Sequence, residues 1–437
     1  MPSPEKRVQR AWTFYDWANS SYNLVITSTM FPAYYEEVTK AADGSNKVKF
    51  LGMEFVNTAL YNYALAFAFL IVALMSPILS SIADYKGNKK TFLRVFSTIG
   101  SIACASMYLF DGDHLGIGIA TVIIACIGFW SSLVFYNSYL PEIAPDEDRD
   151  RLSARGFSMG YIGSVILQLG CFVLLFKKEW FGFIGIETAG DALRTSFLAV
   201  GIWWFGFAQI PLKILPNGTP ATVRPDHGLL ANGFIELKKV WAQLKMMPVL
   251  KRFLTAFFFY NMGVQTVMLA ATLYGKSELA IPVDNLIIAI LLIQLVAIPG
   301  ALFLSWCSGK IGNLNTLLAA VLLWVGICVA GYNIKPGDVM AFYGLAAVVG
   351  FVMGGIQSVS RSTYARLMPV TRDTTSFFSF YDVTEKIAIV IGMFSFGFIT
   401  ELAGGSQRNS VLALMGFFII GAVCLLVTKQ AERKHGA

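Results

Sequence analysis

The chain has 437 residues, of which 56% are hydrophobic and only 14% are charged. Since a soluble domain carries about 25% charged residues, these proportions exclude an ordinary soluble globule. The net charge of +7 would by itself suggest nucleic-acid binding. However, most of the basic residues lie in alternate loops between apolar runs, so we expect no nucleic-acid partner.

Apolar runs of about 20 residues are long enough to cross a bilayer as helices. In chain order, twelve predicted helices cover residues 11–35, 58–82, 91–110, 116–138, 156–176, 193–215, 251–274, 285–307, 313–333, 340–362, 376–400 and 409–428. The predicted fold class is therefore an all-α, multi-pass membrane protein with two six-helix halves.

A polar segment separates the sixth predicted helix from the seventh. Residues 216–249 contain many turn formers and predict an aqueous linker between bundles at residues 1–215 and 250–437. Its second part, residues 234–244, is amphipathic and is expected to lie on the membrane surface. The residues that indicate this linker are Pro216, Gly218, Pro220, Pro225, Asp226 and Gly228.

The basic residues predict the orientation. With both termini in the cytoplasm, 24 of the 34 Lys and Arg residues fall in cytoplasmic segments and nine in the opposite loops. Such an excess is typical of cytoplasmic loops. We expect a monomer in the cytoplasmic membrane, surrounded by lipids. Lys386 is the only Lys or Arg that these spans place well inside the bilayer.

The two halves contain matching segments, which suggests an internal duplication. The matches are residues 84–93 with 309–318, Phe14-Tyr15-Asp16 with Phe259-Tyr260-Asn261, and Leu140-Pro141 with Met368-Pro369. Two pseudo-symmetric halves with a substrate site near the midplane are the architecture of major facilitator transporters.

Five further motifs occur in a specific order. They are Tyr15-Asp-Trp-Ala-Asn-Ser-Ser-Tyr22, Tyr139-Leu-Pro-Glu-Ile-Ala144, Gly156-Phe-Ser-Met-Gly-Tyr-Ile-Gly163, Gly354-Gly-Ile-Gln-Ser-Val-Ser-Arg-Ser362 and Phe377-Phe-Ser-Phe-Tyr381. From residue 10 to about 425 the chain resembles the vacuole-effluxer-like branch of the major facilitator superfamily. The resemblance implies a twelve-helix transporter related to fungal proteins that release amino acids from the vacuole.

The segment from Ser80 to Lys90 resembles the superfamily's signature between helices 2 and 3. Gly87 permits a tight turn there. Asp84 could pair with basic groups or with a helix N-terminus. We expect Asp84, Gly87, Lys89 and Lys90 to form a cytoplasmic gate. A solvated turn with a topogenic basic cluster is the alternative, and the two interpretations are compatible.

Helix 1 carries three polar residues on one face, because Asp16, Asn19 and Asn23 are spaced i, i+3 and i+7. An ionisable group inside a span is costly and is a functional candidate. Asp16 is therefore a candidate for substrate binding and proton coupling. If the helix begins before Trp12, as the match with helix 7 suggests, Asp16 lies deeper than hydropathy indicates. Alternatively, Asp16 is a structural partner for a basic group in the helix 2–3 or helix 4–5 loop.

Helix 11 carries Asp382, Glu385 and Lys386. Asp382 and Lys386 are spaced i, i+4 with the acid first, the favourable order for an ion pair. The three side chains could bind a charged substrate or relay protons. A self-neutralising pair that packs helix 11 is the alternative.

Helices 7 and 10 add uncharged polar candidates. Tyr260, Asn261 and Gln265 on helix 7 and Gln357 on helix 10 could hydrogen-bond a substrate. Equally, such side chains hold transmembrane helices together. Arg361, four residues after Gln357, is a gating candidate or a topogenic residue at a cytoplasmic helix end.

The chain lacks the signatures of metalloproteases, serine hydrolases and P-loop ATPases, so no enzyme, cofactor or metal is expected. The predicted function is secondary transport of a small polar solute by alternating access, with efflux and proton coupling. Two alternatives stay open: a transporter of lipids or lipid-linked sugars, and a non-transporting membrane sensor.

Overall fold

The structure is a computed structural model that describes residues 3–40, 46–218, 229–403 and 406–435. Eleven helices in these ranges are long and apolar enough to cross a membrane. As helices 2 to 12 they are Asn57–Lys86, Lys89–Ser106, Leu115–Asn137, Asp146–Phe176, Ala189–Ile214, Pro248–Ser277, Val283–Ile311, Asn313–Asn333, Val339–Leu367, Thr374–Leu402 and Gln407–His435.

The first span is a continuous helical run with an irregular middle. It consists of the α-helix Pro4–Ser21, the π-helix Tyr22–Met30 and the α-helix Phe31–Val38. Its start lies seven residues before the hydropathy boundary, because its first turns are polar, so the earlier start suggested by the match with helix 7 is confirmed. With this run, the described residues contain twelve spans, as predicted.

Helix 5 begins at Asp146, ten residues earlier than predicted. The acidic segment Asp146 to Arg151 is therefore part of this helix. Asp146, Glu147 and Asp148 occupy the first turn, where carboxylates interact favourably with the helix dipole. Asp150, one turn further, is buried.

A β-hairpin and a linker helix lie outside the membrane spans. A β-hairpin that the sequence did not predict, β1 Lys47–Phe50 and β2 Met53–Val56, precedes helix 2. The linker contains the helix Leu229–Met246, which includes the predicted amphipathic segment. Val240 and Leu244 on this linker helix are buried. The expected turn formers Pro220, Pro225, Asp226 and Gly228 lie outside the described residues.

The internal match is visible in two turns. Gly87 after helix 2 and Gly312 after helix 8 both have left-handed backbones, with φ of 62° and 85°. Only glycine adopts this region without strain. We call the end of the bundle that holds these turns, the start of helix 1 and the end of helix 12 the terminal face.

Candidate functional site

Asp16 on helix 1 and Arg361 on helix 10 form an ion pair between the two halves, which we call the central pair. Arg361 Nη1 lies 3.6 Å from Asp16 Oδ2, and the two side chains are only 4% and 7% exposed. Asp16 is twelve residues from Pro4, which corresponds to about 18 Å along the helix. Its partner is thus a buried residue of the opposite half, and not a loop residue as the structural alternative supposed.

Hydrogen bonds hold both members of the central pair. Tyr136 donates its hydroxyl to Asp16 Oδ2 at 2.7 Å. Arg361 donates to the Ser153 hydroxyl at 3.0 Å, to the Ser153 carbonyl at 2.9 Å and to Asn137 Oδ1 at 3.2 Å. Arg361 is therefore not a topogenic residue in solvent, and it is a second basic residue, besides Lys386, buried within a span.

A glycine and two aromatic rings shape the space around the central pair. The Arg361 guanidinium lies 4.3 Å from the centre of the Phe157 ring and 4.8 Å from that of Trp12. A Cβ on Gly156 would approach Asp16 Oδ2 to 2.6 Å. Helix 5 can therefore lie this close to the carboxylate only because residue 156 has no side chain.

The predicted ion pair on helix 11 is present in the structure. Lys386 Nζ lies 2.7 Å from Asp382 Oδ1 and 3.1 Å from Glu385 Oε2, and the Lys386 side chain is 1% exposed. We call these three residues the helix-11 cluster. Two carboxylates face one ammonium, so the cluster carries one excess negative charge when all three groups are ionised.

Neighbouring helices contribute three contacts to the helix-11 cluster. Ser76 on helix 2 donates a hydrogen bond to Asp382 at 3.1 Å, and the Trp130 ring on helix 4 lies 3.7 Å from Lys386 Nζ. Gln265 on helix 7 donates to Glu385 at 3.0 Å. Because Ser76 and Trp130 belong to the N-terminal half, this cluster also bridges the two halves.

The other polar residues of helix 1 differ in exposure. Asn19 is buried, and its Nδ2 has no hydrogen-bond partner among the described residues. Asn23 lies in the π-helical segment and is exposed. Asn19 is therefore an available donor one helical turn after Asp16.

The uncharged candidates of helices 7 and 10 have different partners. Tyr260 shares a 2.7 Å hydrogen bond with Ser360, while Asn261 is buried with a free Nδ2 in the described part of the chain. Gln357 accepts a 3.1 Å hydrogen bond from Tyr161 of the opposite half. Gln357 therefore contributes to the interface.

The helix 2–3 turn contacts the start of helix 11. Asp84 accepts hydrogen bonds from the backbone N–H groups of Thr375 at 3.2 Å and Ser376 at 2.8 Å. These donors belong to the first turn, where N–H groups have no partner within the helix. The predicted interaction of Asp84 with a helix N-terminus is thus present.

The basic residues of the same turn have different surroundings. Lys89 is buried, forms an ion pair with Glu142 and lies 4.2 Å from the centre of the Tyr139 ring. Glu142 also accepts a hydrogen bond from Thr374 on helix 11 at 2.6 Å. Lys90 is partly exposed. Lys89 therefore reaches the opposite half through Glu142.

A further contact between the halves involves Asp150, which the sequence did not single out as a site residue. Asp150 on helix 5 accepts hydrogen bonds from Ser308 at 2.9 Å and Asn313 at 2.8 Å, and it forms an ion pair with Arg366 at 3.2 Å. The signal was present: Asp150 is four residues into the acidic segment, so a helix that starts at Asp146 turns it toward the bundle. This contact lies on the terminal face, beside the helix 8–9 turn.

The hydrogen bonds between the halves are confined to one side. Among the described residues, none lies further from the terminal face than the Tyr161–Gln357 bond and the helix-11 cluster. The bundle is therefore closed at the terminal face.

The sequence profile of the family described as "Vacuole effluxer Atg22 like" matches residues 4–437. The chain belongs to this family. The Atg22-like chain is 30% identical to the "Uncharacterized MFS-type transporter YxiO" of Bacillus subtilis over 95% of its length and 94% of that protein. It is 26% identical to Autophagy-related protein 22 of Kluyveromyces lactis, covering 100% of this chain and 95% of the relative.

Solved structures have the same fold. The Escherichia coli fucose:proton symporter superposes with a TM-score of 0.69 at 13% identity, covering 97% of this chain and 98% of the symporter. The proton:xylose symporter XylE gives 0.70 at 14% identity, covering 96% and 95%. This Atg22-like protein is thus a multi-pass membrane protein with the major facilitator fold, in a family of transporters.

Proposed function

We propose that the protein is a secondary active transporter that exports a small polar solute by rocker-switch alternating access, with amino acids as the first candidates. The observation that carries the proposal is the position of the central pair and the helix-11 cluster. Both are buried, both bridge the halves, and both must rearrange when one half rocks against the other. Their opening and closing would couple the two conformations to ligands between the halves.

The proposed orientation follows from the basic residues. If the terminal face is cytoplasmic, as their distribution predicts, then the described conformation faces outward. A bacterial homologue of the iron transporter ferroportin, solved in an outward-facing state, superposes with a TM-score of 0.68 at 12% identity, covering 98% of this chain and all of that chain.

The proposed substrate site lies between the halves, above the closed terminal face. Its polar donors and acceptors are Asn19, Asn23, Tyr260, Asn261, Gln265, Gln357 and Lys386. The free Nδ2 groups of Asn19 and Asn261 support this assignment, since a buried unsatisfied donor is costly unless a ligand pairs with it. The Glu385 carboxylate and the Lys386 ammonium would pair with the ammonium and the carboxylate of a zwitterion.

We assign proton coupling to the helix-11 cluster in preference to Asp16. Asp16 has Arg361 as a counter-ion, so its ionised form is compensated. Asp382 and Glu385 share a single ammonium, so one carboxylate has no counter-charge in a medium of low dielectric constant. Protonation of Glu385, the more exposed of the two acids, removes this excess charge. Asp16 and Arg361 would then act in gating.

Transport by purified protein in proteoliposomes tests these assignments. Labelled amino acids are measured both in uptake driven by a pH gradient and in exchange without a gradient. We expect Glu385→Gln to abolish the driven accumulation while exchange stays within about threefold of wild type. The matched control is Glu401→Gln, because Glu401 lies on helix 11 but is exposed.

Asp16→Asn separates gating from coupling in the same assay. As a gating residue, Asp16 should slow driven transport and exchange together when it is neutralised. Loss of driven transport alone in Asp16→Asn, or retention of it in Glu385→Gln, would contradict the assignment of protons to helix 11. No flux of any amino acid by the wild type would contradict the substrate class.

A further inference from the structure

A cavity outside the transport pathway lies on the terminal face of the C-terminal half. It has a volume of about 300 Å³ and opens between the ends of helices 9, 10 and 12. Its polar lining consists of Asn313, Asn315, Thr363, Arg366, Lys429, Glu432 and Arg433. Three cations from two helices therefore face one space with a single carboxylate.

The two cations of helix 12 are not neutralised. Lys429 and Arg433 are spaced i, i+4, which places like charges on one face of the helix and is unfavourable without a counter-ion. In the part of the chain that the structure describes, neither forms an ion pair. Glu432 lines the same cavity but compensates at most one of them.

Arg366 adds an unmet donor. Its Nη2 pairs with Asp150, and its Nη1 donates to Asn313 Oδ1 at 3.0 Å. Its Nε is buried and has no hydrogen-bond partner among the described residues. A buried donor of a charged group without an acceptor is unusual in a native structure and indicates a missing partner.

The start of helix 9 adds partial positive charge to that of the cavity cations. Helix 9 begins at Asn313 after Gly312, which has no side chain to cap the helix, and its first turn contains no acidic residue. Its first N–H groups therefore add partial positive charge beside Lys429 and Arg433. This contribution adds to the field of the side chains and is not needed to define the site.

We propose that this cavity binds a phosphate-bearing anion. A tetrahedral phosphate has enough acceptor oxygens for a guanidinium, an ammonium and backbone N–H groups at once. It could be the headgroup of an anionic phospholipid or a free phosphate. Ile311, which lines the cavity and is 52% exposed, would contact the acyl chains of a lipid.

The test is a binding titration of the full-length protein in uncharged detergent, in which the thermal unfolding midpoint Tm is measured at each ligand concentration. The probes are short-chain phosphatidylglycerol, short-chain phosphatidylcholine and inorganic phosphate. We expect phosphatidylglycerol to raise Tm and phosphatidylcholine to leave it unchanged, because only the former has a net negative charge. A rise with inorganic phosphate as well identifies a site for phosphate itself, whereas a rise with phosphatidylglycerol alone identifies a lipid site.

Variants connect the binding to the cavity. Lys429→Gln/Arg433→Gln should weaken the apparent affinity about thirtyfold, since each cation near an anionic headgroup contributes about 1 kcal/mol. Arg433→Gln alone should weaken the apparent affinity about fivefold. This single variant replaces the double variant in the test if the double variant does not fold. The control is Lys434→Gln, which changes an exposed cation of the same helix that does not line the cavity.

Three results would overturn the proposal. They are no Tm rise with phosphatidylglycerol or with inorganic phosphate, a rise with phosphatidylcholine equal to that with phosphatidylglycerol, and unchanged affinity in the variants that lack the cavity cations. Since the readout is binding and not flux, these results are independent of whether the protein transports an amino acid.

Discussion

Replacing Asp16 with Asn leaves the Arg361 guanidinium buried between the halves without its counter-ion. The Arg361 side chain is only 4% exposed, so water cannot replace the carboxylate. Breaking a buried ion pair from one side costs about 3–5 kcal/mol. We expect about 3 kcal/mol, the lower end, because Arg361 keeps its hydrogen bonds to Ser153 and Asn137.

The double variant Asp16→Asn/Arg361→Gln removes both charges and tests the coupling. Its loss of stability should be smaller than the sum of the two single losses by about 2 kcal/mol, because neither charge is left unpaired. The free energy of unfolding is measured by sodium dodecyl sulfate titration in mixed micelles for the wild type, the two single variants and the double variant.

An exposed ion pair provides the matched control. Arg151 and Asp148 lie 2.8 Å apart with side chains 64% and 40% exposed. The same cycle with Asp148→Asn and Arg151→Gln should give a coupling below about 1 kcal/mol, as is typical of surface pairs. Additive losses at Asp16 and Arg361, within about 0.5 kcal/mol, would refute the inference that the two residues act as a buried pair.

Three further substitutions test the packing and the gate. Asp84→Asn weakens charged hydrogen bonds to helix 11, each of which contributes about 1.5–3 kcal/mol. The terminal face should then open more often, so a thiol reagent added from that face should label a Ser138→Cys reporter faster. Unchanged labelling would argue against a gate. Gly156→Ala places a methyl group 2.6 Å from Asp16 Oδ2 and should reduce both stability and transport. Gly170→Ala, on the same helix with open space around it, should change neither. Equal effects of the two substitutions would contradict close packing at Gly156. Gly87→Ala should cost about 1 kcal/mol of stability because φ is 62°, and an unchanged unfolding midpoint would show that the turn relaxes.

The spans were predictable because burial in lipid demands long apolar runs. Helix 9 occupies residues 313–333 as predicted. The errors fall where helices extend beyond the apolar region: helix 5 has ten additional residues at its start, and helix 10 continues from residue 362 to Leu367. Hydropathy does not detect such turns, since they are helical for reasons of capping and dipole interaction and not of lipid burial.

The members of the site were partly predictable, but their partners were not. An intramembrane ionisable residue is conspicuous, so Asp16, Asp382, Glu385 and Lys386 could be selected from the sequence. The pairing within helix 11 followed from i, i+4 spacing. The pairing of Asp16 with Arg361 joins residues 345 positions apart, on helices whose contact depends on how the halves pack.

The sequence by itself determined a membrane protein of twelve helices in two matching halves, because the apolar runs, the positive-inside bias and the repeat are all patterns that short segments of the sequence contain. Only the tertiary structure decided which charges neutralise each other. It placed Arg361 beside Asp16, set Asp150 against helix 9, and left Lys429 and Arg433 facing a cavity with no ion pair to any described residue. Electrostatic compensation depends on distances between helices, and these are set by side-chain packing across the whole bundle.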